Sequence, residues 1–261
     1  MTHPSSLVHP DAVLGADVKI GPFCTVGAGV EIGDGCRLLS HVVIDGPQTV
    51  IGEDNTFHPF SVIGVDAQDK KYGGEPTRLV IGDGNVFRES VSVHRGSVGG
   101  GETRIGSGNL LMNHVHVAHD CTIGDHNVLA SYVGLSGHVV LDDHVTLGGR
   151  VGVVQFLRIG SHAYVGGGSV VDGHVPPYAS AVGNRLRIRG VNVVGLKRRG
   201  FSREAIHAIS DAHALYFRSG LRKEEALQQI AEQVGGAEEV EAFTAFLRAV
   251  DGTARASEPS E

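Results

Sequence analysis

Apolar side chains recur at every sixth position along most of this chain. In its central third, twelve branched aliphatic residues keep one phase without interruption: Ile105, Leu111, Val117, Ile123, Leu129, Leu135, Leu141, Leu147, Val153, Ile159, Val165 and Val171. A short fixed period is the signature of a solenoid, and a six-residue period predicts a parallel β-helix. Three hexads would form one triangular coil, with the aliphatic side chains filling the interior.

The same period continues upstream in three shorter blocks. These are Leu14, Ile20, Val26, Ile32, Leu38 and Ile44, then Ile51, Phe57 and Ile63, and then Ile81, Phe87 and Val93. All the blocks together predict about eight coils. Glycine follows many of the aliphatic positions, as at Gly21 and Gly124. We expect glycine there because a corner needs backbone angles that other residues avoid.

Two segments interrupt the period, at residues 64–80 and 94–104. Insertions in a solenoid project as loops from one face, which is often the binding face. The first segment carries the charged residues Asp69 and Lys71, and the second is rich in glycine. Two tolerated loops are the simpler reading, but interruptions of so strict a repeat favour a role in binding.

The pattern changes after Val171. Two prolines at 176 and 177 stop the repeat, because proline cannot donate a hydrogen bond to a sheet. We predict a β-helix over residues 1–190, a helical domain over 191–251 and a disordered tail over 252–261. The predicted helices run from 203 to 218, after a Ser202 N-cap and before Gly220, then from 223 to 234 and from 238 to 250. The fold class is therefore mainly β, with a C-terminal α-helical domain.

Composition limits the classes of partner. The net charge of -7 argues against nucleic acid, and the chain has no long apolar run that would insert into a membrane. With no secretory signal pattern either, we expect a cytoplasmic protein. Only three cysteines occur, too few and too scattered for a disulfide framework or a cysteine metal site. Cationic residues nevertheless concentrate between 184 and 199, which favours a site for a phosphorylated ligand or an acidic protein over a plain solvated surface.

Histidines cluster between residues 113 and 120, where His119 is followed by Asp120. A histidine oriented by a carboxylate is the usual general base near neutral pH. Positions 18 residues apart stack on successive coils about 4.8 Å apart, so Gly137 should lie above His119 and Gln155 above Gly137. His138 is adjacent. A base, a backbone amide without a side chain and an amide side chain in one column are suited to acyl transfer.

Other functions remain open at this point. The histidine spacing also resembles that of zinc ligands, and some trimeric β-helix carbonic anhydrases use histidines at subunit interfaces in that way. Hexapeptide-repeat acyltransferases that use coenzyme A donors share the repeat, and a purely structural solenoid would bind no ligand. Most individual histidines in the chain are also expected to be ordinary surface residues.

Several stretches make the chain resemble the UDP-N-acetylglucosamine O-acyltransferases of lipid A biosynthesis. They are His-Val-Val-Ile at 41–44, Gly-Glu-Pro-Thr-Arg at 74–78, Ile-Gly-Asp-Gly-Asn at 81–85, His-Arg-Gly at 94–96, Asn-Leu-Leu-Met at 109–112, His-Val-Ala-His-Asp-Cys at 116–121, Gly-His at 137–138, Gln-Phe at 155–156, Val-Pro-Pro-Tyr at 175–178 and Gly-Leu-Lys-Arg-Arg-Gly-Phe-Ser-Arg-Glu at 195–204. The resemblance implies a homotrimer of left-handed β-helices that needs no metal or cofactor. The implied donor is a 3-hydroxyacyl chain on acyl carrier protein, and the implied acceptor is the glucosamine 3-hydroxyl of UDP-N-acetylglucosamine.

The resemblance also implies roles for individual residues. His119 would be the general base, Asp120 would orient it, and Gly137 would supply an oxyanion-hole amide. Substrate-binding positions would be Asp69, Lys71, His116, His138, Gln155, Gly167, Asn192, Arg198 and Arg199. The last three match positions near the nucleotide.

Two departures from the family pattern fall where the acyl chain or its donor is expected. Val154 and Arg185 stand where the family often has histidine. Gly167 matches a position where glycine leaves room for a long chain, so we expect a long 3-hydroxyacyl group. Some members acylate a 3-amino group instead, and no residue in this sequence distinguishes the two acceptors.

Overall fold

The chain forms a triangular prism of short parallel strands capped by helices. The structure is a computed structural model that describes residues 1–98 and 101–250, and the backbone of 255–256. Strands of the prism are β1 (Leu7–Val8), β2 (Val13–Leu14), β3 (Lys19–Ile20), β4 (Thr25–Val26), β5 (Glu31–Ile32), β6 (Arg37–Leu38), β7 (Val43–Ile44), β8 (Thr49–Ile51), β9 (Thr56–Phe57), β10 (Val62–Val65), β11 (Arg78–Ile81), β12 (Val86–Phe87), β13 (Ser92–His94), β14 (Glu102–Ile105), β15 (Leu110–Leu111), β16 (His116–Val117), β17 (Thr122–Ile123), β18 (Val128–Leu129), β19 (Gly134–Leu135), β20 (Val140–Leu141), β21 (Thr146–Leu147), β22 (Gly152–Val153), β23 (Arg158–Ile159), β24 (Tyr164–Val165) and β25 (Val170–Val171).

Every third strand pairs, so three strands make one coil of a left-handed parallel β-helix. Sheet 1 runs from β1 through β4 and β7 to β25, sheet 2 from β2 through β5 to β23, and sheet 3 begins with β3, β6 and β9. Val117 pairs with Leu135, and Leu135 pairs with Val153. The predicted fold class and the predicted 18-residue stacking are therefore confirmed.

The aliphatic repeat fills the interior as predicted. All twelve residues of the central series are at most 2% exposed. A ladder of buried asparagines adds a polar column inside one corner, where each side-chain oxygen accepts a backbone N–H from the next coil; its members are Asn55, Asn85, Asn109 and Asn127. This ladder satisfies backbone donors that the corner would otherwise leave unpaired.

The physical reason given for the corner glycines is wrong. The left-handed backbone conformation falls three residues after most of the aliphatic positions. It is mostly adopted by residues other than glycine, such as Asp120, His138 and Phe156, whose φ values are 59°, 61° and 65°. Gly21 and Gly124 are not in that conformation; a side chain there would collide with the neighbouring coil instead. Glycine is needed at these positions because the coils approach closely.

The two interruptions are shorter than the sequence indicates, because the flanking strands are longer. β10 ends at Val65 and β11 begins at Arg78, so irregular backbone covers residues 66–77. β13 ends at His94 and β14 begins at Glu102, and residues 99 and 100 of the second interruption are outside the described part. We name the residues between these strands loop 1 (66–77) and loop 2 (95–101).

In the part of the chain that the structure describes, a hairpin and four helices follow the prism. β26 (Ala179–Val182) and the antiparallel β27 (Arg187–Val191) extend sheet 3, and the helices are α1 (Val193–Arg198), α2 (Arg203–Arg218), α3 (Lys223–Val234) and α4 (Glu238–Ala249). Of the predicted helices, two have the expected bounds and the last ends one residue earlier, whereas the six-residue α1 was missed. The Ser202 hydroxyl caps α2 by accepting the N–H of Ala205 at 3.0 Å.

The helices have a hydrophobic core separate from that of the prism, centred on residues such as Ile209, Leu227 and Phe243. The boundary between domains near residue 190 stays a prediction. The predicted disordered tail lies outside the described residues except for β28 (Arg255–Ala256), whose backbone pairs with β27. None of the helices in the described part of the chain is long and apolar enough to cross a membrane.

Protonation of His213 is expected to destabilise the helical core in acid. His213 is 5% exposed, and burial and the charge of Arg218 lower its pKa to about 4. A histidine in the unfolded chain titrates near 6.5, so below about pH 6.5 the unfolded state binds the proton more readily. The free energy of unfolding should therefore fall between about pH 6.5 and pH 4. Urea unfolding at pH 7 and pH 5 tests this: His213→Gln should lose less stability than the wild type, and equal losses would contradict it.

Candidate active site

His119 and Asp120 follow β16, at the corner that joins sheets 1 and 2. The His119 Nδ1–H donates a hydrogen bond of 2.7 Å to Asp120 Oδ2. This bond fixes the tautomer of the imidazole, so that Nε2 carries the free lone pair. The His119 side chain is 13% exposed and that of Asp120 only 2%. A buried carboxylate that orients a partly accessible imidazole is the arrangement of a general base.

Loop 2 surrounds the Asp120 carboxylate with donors. The Ser97 N–H donates to Oδ1 at 3.0 Å, and the Ser97 hydroxyl donates to Oδ2 at 2.6 Å. The Asp120 N–H in turn donates to the Thr103 hydroxyl at 2.8 Å. Burial alone would raise the pKa of Asp120, but the hydrogen bonds from Ser97 and His119 outweigh it and hold that pKa below its ordinary value. Asp120 is therefore ionised at neutral pH.

Gly137 lies on the next coil, directly against the His119 ring. A Cβ atom at this position would lie 2.6 Å from Cε1 and 2.8 Å from Nε2 of His119. Within the described residues, the Gly137 N–H donates to no protein acceptor, whereas its carbonyl accepts the N–H of Phe156 at 3.2 Å. His119, Gly137 and Gln155 therefore lie on successive coils, as the 18-residue spacing predicts. The Gly137 N–H is free and lies beside the His119 imidazole.

His138 completes the immediate surroundings. Its Nε2 lies 3.6 Å from Asp120 Oδ2, and its ring stacks on Phe156 with centroids 4.6 Å apart. Gln155, beside that phenylalanine, is exposed and free to reach a ligand. The ligand atoms of His119, Asp120 and His138 all lie within 4.8 Å of one another. This set fits a proton-transfer network at least as well as a metal site, because His119 and Asp120 already bond to each other.

A second pair of histidines lies beside this network, and one of them was missed from the sequence. His116 Nδ1 lies 2.9 Å from the Ser92 hydroxyl, while the His94 Nδ1–H donates to the Asp66 carbonyl at 2.6 Å. Burial lowers the pKa of both imidazoles, so both are neutral at pH 7. The His-Arg-Gly motif at 94–96 was the signal that could have identified His94.

An apolar groove of about 300 Å³ begins at His116 and runs along sheet 1. Its other lining residues are Gly134, Leu135, Ser136, Gly152, Val153, Val154 and Val170. Gly134 and Gly152 pair in register, and nothing lies within 4 Å of where their side chains would be. The absence of side chains at these two adjacent positions leaves open space on the outer face of sheet 1. Val154, one of the departures from the family pattern, lies in this wall.

Loop 1 is held against loop 2 by Arg95. The guanidinium donates to the Gly64 carbonyl at 3.0 Å and the Tyr72 hydroxyl at 2.9 Å, and it pairs with Asp66. The Asp69 carboxylate accepts the backbone N–H of Lys71 at 3.0 Å, and Lys71 itself is exposed. Both sequence-predicted residues of loop 1 are therefore carried by a segment that Arg95 fixes.

Three of the predicted binding residues lie elsewhere on the chain. Asn192, Arg198 and Arg199 line a cavity of about 440 Å³ on the outer face of sheet 3. Asn192 caps α1 by accepting the Gly195 N–H at 3.1 Å and also donates to the His162 carbonyl at 2.9 Å. Sheet 3 is the face opposite the corner that holds His119. Within one chain, the structure does not bring this cationic cavity to the base.

Gly167 likewise lies away from His119, at the corner between sheets 3 and 1. A Cβ atom there would lie 3.0 Å from the Gly149 carbonyl oxygen, so a larger residue would crowd the neighbouring coil. Arg185, the other departure from the family pattern, is in the turn between β26 and β27 and is exposed.

Family models match both parts of the molecule. Two segments, 11–46 and 102–137, match bacterial transferase hexapeptide repeats, and residues 174–256 match domain 2 of UDP N-acetylglucosamine O-acyltransferase. Among solved structures, LpxA of Acinetobacter baumannii is 42% identical over 97% of this chain and 99% of that one, with a TM-score of 0.95. The corresponding Moraxella catarrhalis enzyme is 41% identical over 97% and 98%, with a TM-score of 0.93. The Arabidopsis enzyme is 33% identical over 99% and 100%, with a TM-score of 0.86.

Hexapeptide coils, here with an aspartate-bound histidine at one corner, are the architecture of the hexapeptide-repeat acyltransferases. Identity above 40% over nearly the whole length of two LpxA structures narrows this class. The chain belongs to the UDP-N-acetylglucosamine acyltransferase family, and the resemblance found in the sequence is confirmed.

Proposed function

We propose that this protein transfers a 3-hydroxyacyl chain from acyl carrier protein to the glucosamine 3-hydroxyl of UDP-N-acetylglucosamine, the first step of lipid A biosynthesis. The observation that carries the proposal is the network in which Ser97 and His119 bond to the Asp120 carboxylate and Gly137 lies against the imidazole. The named relatives in the family act on the same nucleotide sugar. The protein would work in the cytoplasm.

The chemistry follows from the positions of these atoms. His119 Nε2 accepts the proton of the sugar hydroxyl as its oxygen attacks the thioester carbonyl carbon. Asp120 stays ionised and stabilises the imidazolium that forms. The Gly137 N–H donates to the oxyanion of the tetrahedral intermediate. Collapse of the intermediate breaks the C–S bond, and His119 returns its proton to the departing thiolate of the carrier protein.

The remaining predicted residues have places in this scheme. His116, His138 and Gln155 would contact the sugar and the thioester end of the acyl chain. The groove along sheet 1 has the apolar character that an acyl chain needs. Asp69 and Lys71 would contact the substrate from loop 1, and Gly167 would bound a long acyl chain.

We also propose that the enzyme is a homotrimer with each active site between two copies. The positions of the predicted residues support this, because Asn192, Arg198 and Arg199 lie on the face opposite His119. A neighbouring prism related by threefold symmetry could place its own sheet 3 cavity beside the base of the first. The two guanidinium groups would then bind the diphosphate of the nucleotide, for which arginine is well suited.

Membership of the acyltransferase family argues against the alternative function of a zinc-dependent carbonic anhydrase. The 3-amino acceptor differs from the 3-hydroxyl acceptor by a single group, and both reactions use the same base. We therefore keep the 3-hydroxyl as the proposal, because the named relatives act on UDP-N-acetylglucosamine.

A matrix of donors and acceptors tests the proposal. The purified protein is incubated with UDP-N-acetylglucosamine or its 3-amino analogue, and with 3-hydroxyacyl groups of several lengths on acyl carrier protein or coenzyme A. Mass spectrometry should find a mono-acylated UDP-N-acetylglucosamine with carrier-protein donors. The acyl-chain length that reacts fastest indicates the chain length that the groove accepts. Product from the 3-amino analogue alone, or transfer that is as fast from coenzyme A, would overturn the acceptor or the donor.

A further inference from the structure

Ser97 makes an unusually complete set of contacts with a single carboxylate. It is 3% exposed, and both its backbone N–H and its hydroxyl donate to Asp120, one to each oxygen. Among the described residues, the Ser97 N–H is the only hydrogen-bond donor to Oδ1. Asp120 Oδ2 accepts two hydrogen bonds, one from the Ser97 hydroxyl at 2.6 Å and one from His119 Nδ1 at 2.7 Å. No atom of Ser97 is needed for a contact with substrate in the proposed reaction.

Two donors on opposite oxygens fix the rotation of a carboxyl group about its last bond. The orientation of Asp120 determines where Oδ2 lies, and Oδ2 determines where the His119 ring points. A carboxylate held only by the histidine could turn, and the ring would follow. Because a misplacement of about 1 Å at a reacting group costs about 10²-fold in rate, this orientation matters for catalysis.

The backbone that carries Ser97 is itself anchored. Two residues earlier, Arg95 bonds to the Gly64 carbonyl of β10 and to the Tyr72 hydroxyl of loop 1. On the other side of loop 2, Thr103 is fully buried and accepts the N–H of Asp120. The interruption of the repeat therefore holds Asp120 at two points: Ser97 bonds to its carboxylate, and Thr103 bonds to its backbone N–H.

We propose that Ser97 is a positioning residue that acts on His119 through Asp120, an inference that rests on the proposed function. Its hydroxyl keeps Oδ2 aligned with His119 Nδ1 while the imidazole gains and loses a proton. It also lowers the basicity of the carboxylate. Removing it should therefore disturb the orientation of His119 and raise the pKa of the Asp120 carboxyl.

The test compares Ser97→Ala and Ser97→Thr with a control, Ser61→Ala. Ser61 is a fully buried serine whose hydroxyl bonds to the His58 carbonyl at 2.7 Å, away from the base. Loss of a hydrogen bond to a charged group predicts that kcat of Ser97→Ala falls about 10- to 100-fold. KM for UDP-N-acetylglucosamine should change little, and the acidic limb of the pH–rate profile should move to higher pH. Ser97→Thr should restore both kcat and the profile.

A double-mutant cycle separates positioning from general stability. In an Asp120→Asn background, Ser97→Ala should have almost no further effect on kcat, because the two residues act as one unit. An effect of the same size in both backgrounds, or a Ser97→Ala enzyme with the kcat and pH profile of Ser61→Ala, would overturn the proposal. A wild type that forms no acylated sugar would instead overturn the proposed function. If Ser97→Ala does not fold, Ser97→Cys, with a similar size and a weaker donor, carries the same expectation.

Discussion

Replacement of His119 by alanine is expected to lower kcat by about 10²- to 10⁴-fold, the usual contribution of a general base. Without the imidazole, the site loses the aspartate-oriented group that lies against Gly137 and takes the proton of the sugar hydroxyl as the thioester is attacked. KM for the nucleotide sugar should change much less, because the expected phosphate contacts come from Arg198 and Arg199. Steady-state rates with a carrier-protein donor at saturating acceptor measure this change.

His9→Ala is the matched control for that substitution. His9 is a partly exposed histidine near the first coil, and its Nδ1 accepts the Asp11 N–H at 3.1 Å. The control should keep kcat within about twofold, as surface substitutions remote from a site usually do. A His119→Ala enzyme with a rate close to that of His9→Ala would remove His119 from the role of base.

Replacement of Gly137 by alanine is expected to have the second largest effect, a fall in kcat of about 10²-fold. The added methyl group would lie 2.6 Å from His119 Cε1, well inside van der Waals contact, so the ring must move. The shift would separate Nε2 from the reacting hydroxyl and from the amide that faces the oxyanion. Stopped-flow or steady-state rates, with thermal unfolding as a check on folding, measure the effect.

The same substitution in a His119→Ala background provides the control. With the ring absent, the methyl group has space, and Gly137→Ala should lower the residual rate only slightly. A further large loss in that background would mean that Gly137 acts on the oxyanion alone and does not position the base.

The β-helix was predictable because a fixed sequence period sets the position of each residue in the coil. A six-residue period fixes which residues face inwards, and an 18-residue coil places Gly137 over His119 without any knowledge of loops. A helix was equally predictable where a capping residue marks its first turn, as Ser202 does for α2. The reason predicted for the corner glycines was wrong because two different requirements favour glycine. One is a left-handed backbone conformation, and the other is a close approach of neighbouring coils.

The parts of the site that the sequence did not disclose lie where the period fails. Ser97 and Thr103 reach Asp120 from an interruption whose path no repeat can specify. The position of Asn192 depends on the hairpin of β26 and β27 and on the short α1, which lacks a strong periodic signal. Sequence alone therefore predicted that Gly137 stacks against His119. It predicted neither the Ser97 donors and the Thr103 acceptor that hold Asp120 nor the face on which the cationic cavity lies.

The central claim is that each reaction centre contains residues from two copies of the chain. Mixing two inactive variants tests this claim most directly. One carries His119→Ala, and the other carries Arg198→Glu and Arg199→Glu. After co-expression with different affinity tags and purification of the mixed trimers, activity should return to about one third of the wild-type rate. Every mixed trimer has three interfaces, and about one in three of them pairs an intact base with an intact cationic cavity. Mixed oligomers that are no more active than their parents would contradict the account.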